Sequence, residues 1–101
     1  MGETRMPAYL IGTMTVKDPA LWALYVEGVA KSLAPFDAEL VFRGKRVAVL
    51  AGEQPRELAV VIRFADPAAL QAWFHSEAYQ DLIPLRDRAA DVVITSYDEI
   101  V

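Results

Sequence analysis

Residues 57–67 read Glu57-Leu58-Ala59-Val60-Val61-Ile62-Arg63-Phe64-Ala65-Asp66-Pro67. From Glu57 to Phe64 the run is dense in β-branched and aromatic side chains and has the length of one strand. Asp66-Pro67 then opens a helix. An N-cap aspartate accepts from free backbone N–H groups, and a first-turn proline forfeits no hydrogen bond, because its missing N–H would have had no partner. The same grammar occurs earlier in the chain. Residues 8–16, Ala-Tyr-Leu-Ile-Gly-Thr-Met-Thr-Val, read as a strand, and Asp18-Pro19 starts a helix behind them. In that helix Trp22, Val26, Val29 and Leu33 recur on one face, and Pro35 ends it.

Working outward, residues 38–43 and 46–51 read as two strands joined at Gly44-Lys45, where glycine permits the positive φ of a tight hairpin turn. On this reading Leu40 and Phe42 share one face, and Val41 and Arg43 the other. Residues 52–56 form a polar loop. After Asp66-Pro67 the helical stripe is Leu70, Trp73 and Phe74. The chain re-caps at Ser76, is interrupted at Pro84, continues as a short segment over 84–90 and closes with a strand over 91–97. The order βα(ββ)βαβ is the ferredoxin-like plan: α+β class, an antiparallel-type sheet with two helices on one face. The crossover rule predicts that 57–64 lies parallel to the first strand at the sheet centre, with 91–97 antiparallel on the other side. One domain is expected over residues 6–101, behind a loose leader of residues 1–5.

The sheet's second face carries the assembly argument. A face left to water alternates apolar and polar residues. Here Leu58, Val60, Ile62 and Phe64 oppose Ala59 and Val61, Leu10 and Met14 oppose Tyr9 and Ile11, and Val92 and Ile94 oppose Val93 and Tyr97. Two apolar faces predict a homodimer that packs through the helix-free sheet face.

Composition narrows the function. The 101 residues are 54% hydrophobic and carry a net charge of −4, with 14 acidic against 10 basic side chains. An acidic balance argues against nucleic acid as a partner. With no cysteine and one histidine, His75, thiolate chemistry and histidine metal clusters are excluded. The longest uncharged N-terminal stretch, residues 6–16, is half the length of a membrane span. No membrane partner, metal or cofactor is expected, and the setting is read as cytoplasmic.

Candidate site residues follow from chemistry. His75, Ser76 and Glu77 are adjacent, but successive helical residues point about 100° apart and do not form a triad. Ser76 reads as an N-cap, and His75 is the single candidate general base. Arg43, beside Lys45 and Arg46, either defends a sheet edge or clamps an anion. Arg63, inside an apolar strand, needs a carboxylate, with Asp98 or Glu99 at hand. Tyr25, Trp73, Phe74 and Tyr79 are core aromatics whose polar tips could line a pocket, and Arg86 either ties the sheet end or meets a ligand carboxylate.

Several of these residues form a recognisable pattern. Met6-Pro7-Ala8-Tyr9, Asp18-Pro19, Tyr25, Phe42-Arg43-Gly44 and Gly52 are joined by Ala72-Trp73-Phe74-His75-Ser76-Glu77-Ala78-Tyr79-Gln80 and Leu85-Arg86. Together they resemble the DUF1330 family over residues 6–101, with a departure at Glu77-Ala78 where the family often carries Pro-Glu. The resemblance implies a dimeric α+β barrel, two ferredoxin-like subunits packed sheet on sheet, and no established reaction. Three functions are consistent with this: a homodimer binding a small apolar or carboxylate-bearing molecule through Arg43, Tyr25, Trp73, Tyr79 and Arg86; a cofactor-independent monooxygenase or isomerase with His75 as base; and a structural or regulatory dimer.

Overall fold

The computed structural model describes residues 6–100, so the expected leader 1–5 lies outside the described residues. The elements are β1 (Ala8–Val16), α1 (Pro19–Leu33), a 3-10 turn (Ala34–Phe36), β2 (Glu39–Lys45), β3 (Leu58–Phe64), α2 (Pro67–Phe74), α3 (Glu77–Gln80), α4 (Ile83–Ala89) and β4 (Ala90–Asp98). Both Asp-Pro starts form as the sequence predicts. Asp18 Oδ1 accepts from the Ala20 and Leu21 amides at 3.1 and 3.2 Å, and Asp66 Oδ1 from the Ala69 amide at 2.8 Å. Asp18→Ala is expected to cost about 1 kcal/mol of unfolding free energy, read from the urea midpoint at unchanged slope.

The sheet order is β2-β3-β1-β4, and every neighbouring pair is antiparallel. The parallel β1–β3 pairing expected from the sequence is therefore corrected. The crossover rule governs β1 to β2 and β3 to β4, which are not neighbours. The reversal between β2 and β3 turns β3 against β1. The β1–β4 pairing is antiparallel as predicted, with Gly12 opposite Ile94 and Thr13 opposite Val93.

The hairpin differs as well. Residues 46–51 form no strand, and Gly44-Lys45 belongs to β2 rather than to a turn. Residues 46–57 make the reversal as one long arm. The Arg46 side chain replaces the ladder that was expected there: its Nη1 donates to the carbonyls of Gln54 at 3.0 Å and Arg56 at 2.9 Å. The arm is laced at its base, yet Val47 and Leu50 on it are 97% and 96% exposed.

β2 carries a bulge between Leu40 and Phe42. Leu40 pairs with Ile62, Phe42 with Val61 and Arg43 with Val60. Val41 is the extra residue, and beyond it the strand's alternation inverts. Phe42 thus shares the helix-free face with Val61, and Arg43 shares the helix-covered face with Val60. The predicted common face for Leu40 and Phe42 is corrected on this ground.

The core lies between sheet and helices. Ala8, Leu10, Ile62 and Phe64 rise from the sheet to meet Tyr25 of α1, Leu70 and Trp73 of α2 and Tyr79 of α3. Ser76 restarts the second helical arm: its Oγ accepts from the Tyr79 amide at 3.3 Å and donates to the Trp73 carbonyl at 2.6 Å. The opposite face is mixed rather than uniformly apolar. Tyr9, Ile11, Phe42, Val61, Val93 and Tyr97 share it with Thr13, Thr15, Thr95, Glu39 and Arg63. Arg63 is not a buried cation paired to Asp98 or Glu99. It stands on that face, partly exposed, with Nη1 3.7 Å from Glu39 Oε1 across the β2–β3 register.

Candidate functional site

α1 does not close fully onto the sheet. Its stripe of Trp22, Val26, Val29 and Leu33 faces a cavity of about 440 Å³ whose floor is the helix-covered side of the sheet. Leu10, Gly12 and Met14 of β1, Leu58, Val60 and Ile62 of β3, and Val92 and Ile94 of β4 supply that floor. Its volume lies within the range of small-molecule sites. Gly12 is buried at its centre, and a Cβ there would stand 3.1 Å from Val60 Cγ1 and 3.4 Å from Met14 Cε. A glycine inside a strand was the signal for this low floor.

Five side chains with a polar group reach this lining: Arg43, Lys45, Tyr25, Trp22 and Trp73. Arg43 and Lys45 come from edge strand β2, on the helix-covered face because of the Val41 bulge. Neither has an ion-pair partner among the described residues. Two cations at the edge of an apolar cavity favour a ligand with an anionic group. Trp73 is committed elsewhere, its Nε1 donating to Ser32 Oγ at 2.9 Å, and Ser32 Oγ donating in turn to the Val29 carbonyl at 2.7 Å. Ser32 was missed in the sequence because a lone helix serine has no distinguishing pattern.

Behind Tyr25 lies a polar chain. The Tyr25 and Tyr79 hydroxyls are 2.9 Å apart, Arg86 Nη1 donates to Tyr79 Oη at 3.1 Å, and Arg86 Nε donates to Asp87 Oδ1 at 3.0 Å. Burial, and then the neighbouring Tyr79, push the Tyr25 hydroxyl far above the ordinary tyrosine range, so it stays protonated. For Arg86, burial works against the charge, but the hydrogen bond to Tyr79 and the contact with Asp87 outweigh it and raise its pKa further. Trp22 stacks on Tyr25 with ring centroids 5.1 Å apart, fixing that ring at the cavity wall.

The structure therefore gathers Arg43, Tyr25 and Trp73 on one cavity, with Tyr79 and Arg86 one step behind. His75 is placed apart. It is exposed at the C-cap of α2, edge-on to Phe74 with centroids 5.3 Å apart, and it is not on the cavity lining. Among the described residues no cluster of three or more His, Cys, Asp or Glu side chains could hold a metal ion, and no helix is long and apolar enough to cross a membrane.

An antiparallel four-stranded sheet covered on one side by helices, with a cavity between the layers, defines a ferredoxin-like α+β protein. The sequence matches the profile of Domain of unknown function (DUF1330) over residues 7–98, and the chain belongs to that family. Among solved structures it is similar to RPA0582, a protein of unknown function from Rhodopseudomonas palustris, at 13% identity and a TM-score of 0.80, covering 97% of this chain and 85% of that one. It is similar to SnoaB, a cofactor-independent oxygenase from Streptomyces nogalater, at 9% identity and a TM-score of 0.68, covering 95% of each chain. A dimeric ferredoxin-like protein of unknown function from Thermobifida fusca matches at 15% identity and a TM-score of 0.63, covering 98% and 96%. No curated protein matches by sequence. At these identities the likeness is one of fold.

Proposed function

We propose that this protein is a homodimer that binds a small apolar molecule carrying a carboxylate in the cavity between α1 and the sheet. The observation that carries the reading is the lining: apolar on floor and wall, with the cations Arg43 and Lys45 at β2, which have no ion-pair partner among the described residues. The apolar body would be held by area removed from water, and the anion by Arg43 in its preferred forked geometry. The dimeric half of the reading is supported by Ile11, Val61 and Phe42 on the helix-free face, and by Val47 and Leu50 standing bare on an arm that Arg46 keeps in shape. The dimeric state of the Thermobifida fusca protein agrees with it. The absence of cysteine fits a reducing cytoplasmic setting.

The test uses anilinonaphthalene sulfonate, an apolar fluorescent anion. It is expected to bind wild-type protein with a fluorescence increase. Val29→Trp, which fills the cavity from α1, and Arg43→Gln, which removes the anion partner, are each expected to weaken binding at least about tenfold. Equal binding by all three proteins would overturn the reading.

The enzymatic alternative, a cofactor-independent oxygenase or isomerase, is supported by the fold shared with SnoaB. It requires His75 to reach the substrate from an exposed helix end. Should turnover of any substrate be found, unchanged turnover in His75→Ala would remove that residue as the base.

A further inference from the structure

The polar chain behind the cavity has a direction, and the direction specifies a second feature of the ligand. An arginine only donates, so in the Arg86–Tyr79 contact the Tyr79 oxygen is the acceptor. Two arrangements then satisfy the close contact between the two tyrosine hydroxyls. In one, Tyr25 donates to Tyr79 and the Tyr79 proton is left without an acceptor. Tyr79 is 0% exposed and off the cavity lining, so that proton would be stranded in the core. In the other, Tyr79 donates to Tyr25 and the unspent proton belongs to Tyr25. That residue is also buried, at 6% exposed, but it borders the cavity. The second arrangement leaves the free donor on the residue of the pair that borders the cavity.

We propose that Arg86, Tyr79 and Tyr25 form a one-way hydrogen-bond chain that makes Tyr25 the donor to a carbonyl or other neutral acceptor oxygen of the bound molecule. The inference rests on the cavity reading above and extends it: the ligand class becomes an apolar acid with an acceptor oxygen remote from its carboxylate. Tyr25 is the binding residue, and Tyr79 and Arg86 are positioning residues. The chain does not depend on Trp73, whose N–H is spent on Ser32.

The discriminating probes are a naphthoate carrying an acetyl group and the same naphthoate carrying an ethyl group in its place. Both fit the apolar body and the anion, and only the first offers an acceptor. Wild-type protein is expected to bind the acetyl compound about five- to tenfold more tightly, measured by displacement of anilinonaphthalene sulfonate. Tyr25→Phe is expected to bind both alike, and Tyr79→Phe to show a reduced preference. Equal affinity of wild-type protein for the two compounds would overturn the chain while leaving the cavity reading intact, and needs no variant. A preference that survives in Tyr25→Phe would also overturn it. Failure of both naphthoates to displace the dye from wild-type protein would defeat the cavity reading, and the chain with it.

Discussion

Trp73→Ala is expected to destabilise the protein by about 3–5 kcal/mol, a large part of the stability of a domain this size. Trp73 is 1% exposed, and its ring lies 4.4 Å from Tyr79 and 5.7 Å from Phe64, centroid to centroid. It is the point where α2, α3 and β3 meet, so its removal leaves a void that none of the three can close alone. The substitution also takes away the donor to Ser32 Oγ. Trp73→Phe separates the two contributions: it keeps most of the ring packing and is expected to cost about 1–2 kcal/mol, chiefly the lost hydrogen bond. Urea unfolding at fixed protein concentration reads both values. A loss below about 1 kcal/mol for the alanine variant would show that the aromatic cluster is not the core's keystone.

Ile11→Arg is expected to convert the proposed dimer into a monomer of 11.2 kDa, seen by sedimentation velocity at micromolar concentration. Ile11 lies on the helix-free face, paired across the register with Val61 on one side and Thr95 on the other. In a two-fold interface each substitution appears twice, so the variant would place two like charges in the patch. The expected loss is a thousandfold or more in dimer affinity, on the order of 4 kcal/mol. The helix-covered core is on the other face, so the circular dichroism spectrum should be unchanged. A variant that sediments with wild type would refute packing through this face.

Most of the fold was legible because its signals are local. The two Asp-Pro helix starts, the stripe Trp22–Val26–Val29–Leu33 and the Ser76 cap depend on neighbours within a few residues, and each appears where the sequence places it. The strand direction was misread because it depends on which strands a crossover joins rather than on any residue. The loop expected at 52–56 is present, but residues 46–51 form no strand because Val47, Val49 and Leu50 have strand composition and no strand to pair with. The site was half legible. Tyr25, Trp73, Tyr79 and Arg86 stood out by chemical type, whereas Lys45, Ser32 and the floor at Gly12 are defined only by what lies opposite them. Arg43 was singled out for its charge, but its place in the cavity follows from a register irregularity that hydrophobic alternation does not disclose.

That irregularity makes the cavity's polarity sensitive to strand register. Were Val41 to enter the ladder opposite Val61, regular alternation would turn Phe42 inward opposite Val60 and send Arg43 outward opposite Ala59, whereas deletion of Val41 would leave both pairs as they are. A one-residue slip that takes up the bulge would thus exchange a guanidinium for a phenyl ring in the lining and put a cation on the opposite surface. Relatives whose strand has the same length without the bulge would therefore be expected to select uncharged molecules and to associate differently.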